Sequence, residues 1–170
     1  CSLVNFDPQA ENRVLAACLF RFNALSFDQA LSHVESLPID EKKQLARNLF
    51  ECGNRHLDPL RELEHAVLTF EMTVDQGAYY EIKRHRMMTL TPQRLTADLG
   101  YAIPRHIEAA GLSAEYRGCM EEAEVTYHEI AKVDRELAAY VVPNAYHRSF
   151  LITPNLRSLL HFIKLRSAAN

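Results

Sequence analysis

Arg84, His85 and Arg86 stand consecutively in the stretch YYEIKRHRMMTLTPQR, with Lys83 just before them and Arg94 eight residues after. Cations crowded in this way repel one another unless something negative lies among them. Acidic side chains, a nucleic-acid backbone or the phosphates of a small ligand would serve. A helix C-terminus attracts cations, but at roughly 0.3–1 kcal/mol each that explains one of them better than three. Successive helical residues point about 100° apart, so the three cannot line one face, although they can surround a ligand lying across a helix end. Arginine forks suit phosphate.

Two further groups invite a chemical reading. NRHLDPLRELEHA brings together His56, Asp58, Glu64 and His65. Irregular spacing and the interrupting Pro59 speak against a metal site. His65 opens an apolar run and reads as a structural histidine, whereas His56 falls in a loop and is the better functional candidate. Near the end of the chain stand Asn155, Arg157, His161 and Arg166. Arg157 and His161 are four apart and share a helix face, with Leu156, Leu159, Leu160 and Ile163 expected on the opposite, core-facing side. Asn155 is expected in the first helical turn, where free backbone N–H groups favour an anion. A plain solvated polar face is the alternative.

Bulk composition narrows the field. The chain has 170 residues, 48% hydrophobic and 24% charged, with a net charge of −3. That is the composition of one globular domain. The acidic balance argues against general nucleic-acid binding, so any basic site is local. Cys1, Cys18, Cys52 and Cys119 form no C-x-x-C pair and suggest reduced thiols in a cytoplasmic protein. No apolar run reaches the roughly 18 residues of a membrane helix, so no membrane partner is expected. The start at Cys1 and the end at KLRSAAN lead us to expect one domain over 1–170 within a longer polypeptide.

Several elements are expected to position these groups. VLAACLFRF (14–22) suits helix or strand. Ser26 caps a helix over SFDQALSHVESL, and Asp40 caps another that Gly53 stops. HAVLTFEMTVD is rich in β-branched and aromatic residues and reads as a strand. QGAYYEIKRHR reads as a helix with its basic residues in the last turn. MMTLTPQR reads as a loop because Pro92 lacks a donor, and LTADLGYAI as a second strand. Spacing of Tyr116, Met120, Ala123, Tyr127, Ile130 and Leu137 predicts one long helix over 113–139, capped by Ser113, with its apolar stripe in the core. YHRSFLI suits a short strand. Thr153 and Pro154 are expected to cap and begin a final helix. Irregular mixing of helices and strands points to an α+β fold with a small, mostly antiparallel sheet flanked by helices. The sequence has no G-x-G-x-x-G, no phosphate-binding glycine loop and no G-x-S-x-G.

The segment LEHAVLTFEM, then R-H-R at 84–86, then NLRSLLHFIKLR, resembles the flavin-dependent thymidylate synthases. That family carries an R-H-R-x-x-S-x-N-x-x-S-x-R-Y signature, an upstream H…EH segment and a downstream N-x-R-S-L helix. The resemblance is firmest over residues 50–166 and implies the thymidylate-synthase-complementing fold. It further implies a flavoprotein methyltransferase that converts dUMP to dTMP, with FAD as cofactor and NADPH and methylenetetrahydrofolate as co-substrates. It implies a homotetramer with sites shared between subunits, and no cysteine nucleophile. Carried over, His56, Arg84, His85, Arg86, Asn155, Arg157 and His161 would hold FAD. Arg94 and Arg166 would face the nucleotide.

The sequence departs from that signature mainly in its dUMP half. Thr89 stands for its first Ser, Thr91 for its Asn, Arg94 for its second Ser, and Thr96-Ala97 for its final R-Y. Glu81 replaces the usual Gln, and Ala139 the usual Arg. Two readings of the resemblance follow: an enzyme with an altered dUMP site, or a non-catalytic FAD-binding or structural partner domain of the same family.

Overall fold

The computed structural model describes residues 1–50 and 59–167. In chain order they form β1 (Ser2–Phe6), α1 (Ala10–Phe22), α2 (Phe27–Ser36), α3 (Ile39–Phe50), a 3-10 turn (Arg61–His65), β2 (Leu68–Asp75), α4 (Gln76–Lys83) and β3 (Met88–Pro92). There follow α5 (Arg105–Ala109), α6 (Ser113–Ala131), α7 (Arg135–Ala138), a second 3-10 turn (Ala139–Val141), β4 (His147–Pro154) and α8 (Leu156–Arg166). The four strands make one antiparallel sheet in the order β1-β2-β4-β3. The expected α+β fold is therefore the observed one. No helix among the described residues is long and apolar enough to cross a membrane.

Two compact units make up the chain. One comprises Cys1–Ser2 with Glu71–Ile152, the other Leu3–Phe70 with Thr153–Asn170.

The core of the first unit gathers Ala97, Met120, Tyr127, Ala138, Val142 and Tyr146. Met120 and Tyr127 lie seven apart on α6, so the periodic stripe is core as expected, and Tyr116 and Ile130 pack beside it. The single helix expected through 139 is broken, however. Asp134 leaves helical geometry and caps α7, its carboxylate accepting from the Glu136 and Leu137 N–H groups at 2.7 and 3.2 Å. Leu137 consequently leaves the stripe and is exposed. Ser113 is the first residue of α6 rather than its cap.

Expectations for the strands need two corrections in this unit. MMTLTPQR contains β3, not a loop. Pro92 is tolerated because it ends a strand at the sheet edge, where a missing donor breaks no essential ladder bond. LTADLGYAI is not a strand: Ala97 turns into the core, Gly100 takes φ 71°, and only Tyr101 makes an isolated bridge to Tyr146. A positive φ of that kind interrupts extended backbone and suits glycine.

In the second unit the ambiguous run 14–22 is helical. Val14 to Cys18 are five consecutive buried residues, a pattern that both secondary structures allow until packing decides. Leu15 and Ala16 on α1 meet Ala30 and Val34 on α2, with Leu45 and Leu49 of α3 alongside. The alanines let the helix backbones approach closely. Ser26 is the expected cap, and it forms a full capping box with Gln29. Asp40 lies one residue inside α3, and Gly53 falls outside the described residues. A smaller cluster of Val14, Leu63 and Ala66 receives Leu156.

Cys18 is fully buried in α1. Burial first, and the Glu62 carboxylate second, push its thiol up to about 11, against the opposing pull of Arg21. The folded state therefore holds this proton more tightly than the unfolded chain. The resulting stabilisation is fully present below about pH 9 and is lost as pH rises towards about 11, with about 1.4 kcal/mol at stake per pH unit of difference. Urea melts from pH 8 to 11 should show a steeper loss for the wild type than for Cys18→Ala; parallel curves would refute it.

Candidate functional site

The basic run of the first unit does not sit in the last turn of a helix. α4 closes at Lys83, Arg84 is its C-cap, and His85 and Arg86 follow outside it. α4 begins where the Asp75 carboxylate accepts from the Ala78 N–H at 2.8 Å. It is anchored by Tyr79, which is buried edge-on against Phe150 with ring centroids 5.1 Å apart. This packing fixes where the chain emerges with its three basic residues.

The three residues then have different fates. Arg84 forms an exposed ion pair with Glu81 at 3.0 Å. The His85 side chain turns inward and is buried. Arg86 is exposed and has no carboxylate within ion-pair distance among the described residues. Among the described residues, one guanidinium is thus tied to a carboxylate, one is exposed without one, and the imidazole between them in sequence is buried. Arg94 lies beyond β3, where it pairs with Glu136 at 3.0 Å, both side chains largely exposed.

In the second unit the final helix starts later than expected. Thr153 and Pro154 end β4, and Asn155 is the cap of α8, its side-chain oxygen accepting from the Ser158 N–H at 2.8 Å. The displacement arises because the strand continues to Pro154 and Thr153 is used across it, its hydroxyl 3.1 Å from that of Thr69. Asn155 thus satisfies a helix N–H instead of leaving it for an anion. Asn155→Ala should cost about 0.5–2 kcal/mol of stability in urea melts while Asn155→Ser retains most of it; equal stability of all three proteins would dismiss the cap.

Arg157 on α8 donates from Nε to the Pro59 carbonyl at 2.9 Å and from a terminal nitrogen to Glu64 at 3.2 Å. Glu64, grouped at first with His56 and His65, is therefore an ion-pair partner. His65, read as a structural histidine, closes a 3-10 turn just ahead of β2 and is exposed. His161 and Arg166 are exposed on α8. The apolar side of this helix also differs from expectation. Leu156 packs inward, but Leu160 is 43% and Ile163 51% exposed, with Leu165 beside them. A cavity of about 620 Å3 opens in this unit among Phe6, Val14, Ile39, Lys42, Phe50 and Leu156, and none of the expected site residues among those described lines it. His56 lies outside the described residues.

Comparison with known proteins decides the family. Residues 2–170 match the family described as thymidylate synthase complementing protein. The chain belongs to that family. Among its relatives, a UPF0159 protein of Chlamydia muridarum is 34% identical over 97% of this chain and 31% of its own length. A UPF0159 protein of Thermoplasma acidophilum is 29% identical over 97% of this chain and 34% of its own. A flavin-dependent thymidylate synthase of Geobacter sulfurreducens is 25% identical over 97% of this chain and 72% of its own. The chain spans about a third of the length of the UPF0159 relatives. A thymidylate synthase complementing domain is thus present here with its R-H-R intact and placed at the exit of α4. The sequence alone missed the carboxylates that engage its arginines. Glu64 and Arg157 are 93 residues apart, and no local signal pairs them.

Proposed function

We propose that this domain binds FAD and serves in the methylation of dUMP to dTMP, with NADPH and methylenetetrahydrofolate as co-substrates. The observation that carries this reading is the family match over residues 2–170 together with the R-H-R run, whose Arg86 is open to an anion among the described residues. Bound FAD would take electrons from NADPH, while methylenetetrahydrofolate would supply the one-carbon unit. Arg86 would hold the FAD pyrophosphate, because a guanidinium without a carboxylate can give two parallel N–H groups to one phosphate. Arg84 would reach the same anion after leaving Glu81, and buried His85 would hold the loop that presents both. His56, Asn155, Arg157 and His161 would complete the flavin site. Asn155 and Arg157 would act through the shape of the α8 start, since their side chains are engaged there. Arg94 and Arg166 would face the nucleotide.

A cytoplasmic homotetramer is part of the proposal. Leu160, Ile163 and Leu165 on α8 supply apolar surface suited to contact between subunits. Sedimentation of Ile163→Glu should show smaller assemblies than the wild type.

A second reading is favoured by one observation. The aligned shares make the Chlamydia muridarum protein more than twice as long as the Geobacter enzyme, which is room for another domain of this kind. This chain would then be a flavin-binding or structural partner of a catalytic copy, consistent with Thr91, Arg94 and Thr96-Ala97 in the dUMP half of the signature. A flavin absorbance spectrum and tritium release from C5-labelled dUMP separate the possibilities. Flavin with release supports the enzyme, flavin without release supports the partner domain, and absence of flavin binding rejects the cofactor.

A further inference from the structure

Arg148 is held more firmly than an exposed arginine needs to be. It lies on β4 and is half-buried. Its Nε donates to the Gln93 carbonyl at 2.8 Å. Its guanidinium carbon sits 4.8 Å from the centre of the Tyr79 ring. That ring is only 3% exposed and is itself locked against Phe150. Backbone, carbonyl and ring face together fix the plane of the fork. Of its five N–H groups one is engaged at Gln93, and among the described residues the terminal nitrogens make no hydrogen bond. No carboxylate neutralises it among the described residues, in contrast to Arg84 and Arg94 of the same unit. A planar guanidinium stacked on an aromatic and open on its outer edge is a ready receptor for an oxyanion.

The segment after β3 supplies a second cation. Gln93 is clamped to β4 from both sides, its N–H donating to the Ser149 carbonyl at 2.9 Å while its own carbonyl takes Arg148. Arg94 follows directly. Among the described residues its charged partner is Glu136, and a pair this exposed is weak. A dianion can compete with that carboxylate.

We propose that Arg148 and Arg94 form a phosphate-binding pair, Arg148 as the fixed half and Arg94 as the exchangeable half, which takes the phosphate of the nucleotide substrate. A dianionic tetrahedral group suits two guanidinium groups, and this pair would stand in for the Ser and Arg that the signature loses at Arg94 and Thr96. The inference rests on the nucleotide reading above, so the flavin is assayed separately. The simpler alternative is a structural clamp that ties Gln93 to β4.

Calorimetric titration of the purified chain with dUMP, deoxyuridine and inorganic phosphate tests the pair. Arg148→Gln should weaken dUMP binding at least tenfold, leave deoxyuridine binding unchanged, and leave FAD affinity, read from flavin fluorescence, unchanged. Arg148→Lys, which keeps charge but loses the stacked fork, should fall between. Glu136→Gln, a surface change that does not threaten folding, should tighten dUMP and phosphate about two- to fivefold by releasing Arg94. If Arg148→Gln lowers only the melting temperature, or Glu136→Gln leaves dUMP affinity unaltered, the pair is a clamp and the inference fails. A wild type that binds FAD but not dUMP overturns the inference and leaves the flavin reading standing. Binding neither removes both.

Discussion

Arg86→Ala is expected to bind FAD about tenfold to a hundredfold more weakly than the wild type. The magnitude follows from the loss of charge-assisted hydrogen bonds to a phosphate, about 1.5–3 kcal/mol, with tenfold in affinity for each 1.4 kcal/mol. Compensation by neighbours is limited. Arg84 is already on Glu81 at 3.0 Å, and His85 is buried beside it. Arg86 has no carboxylate among the described residues, so its removal breaks no ion pair there and should leave the circular dichroism spectrum unchanged. Titration of flavin-free protein, followed by quenching of flavin fluorescence, reads the effect. Arg84→Ala should lose less, because releasing Glu81 already offsets part of what that arginine gives. Unaltered affinity in Arg86→Ala would remove the R-H-R run from the flavin site.

The largest effect on stability is expected at Tyr146. Its side chain is 0% exposed, its hydroxyl donates to the Met120 carbonyl at 2.7 Å, and its ring lies 5.4 Å from that of Tyr101. Ala97, Tyr127, Ala138 and Val142 close around it. Tyr146→Ala should cost about 3–5 kcal/mol, the usual penalty for emptying an aromatic site that neighbours cannot refill. Tyr146→Phe removes only the hydroxyl and should cost about 1 kcal/mol. Against a total of about 5–15 kcal/mol for a domain, the alanine variant would be close to unfolding. Urea denaturation followed by tyrosine fluorescence measures both. A loss below 1 kcal/mol in Tyr146→Ala would show that the cluster is not the keystone of the first unit.

Other residues show why the site was only partly legible. R-H-R, N-x-R-S-L and their order carry the family because they are contiguous strings. The partners of those arginines are not. Glu81 could be suspected for Arg84, being three residues away on one helix, but Glu136 for Arg94 and Glu64 for Arg157 come from distant segments. Arg148 shows the same limit. Nothing in HRSFLI marks it, and its constraint exists only once Tyr79 and the Gln93 carbonyl are folded against it.

The amino-acid order by itself determined the family resemblance, the α+β class, the Ser26 cap, the strand after His65 and the buried stripe of α6. The cap, the strand and the stripe rest on neighbours within a few residues, where periodicity and capping act, and the resemblance and the class rest on the order of such local strings along the chain. Tertiary structure alone decided that 14–22 is helix, that Pro92 ends an edge strand, that Asn155 rather than Thr153 caps α8, and which arginines meet carboxylates. In each of those cases two local conformations lie close in energy, and a packing surface or hydrogen-bond partner far along the chain selects between them.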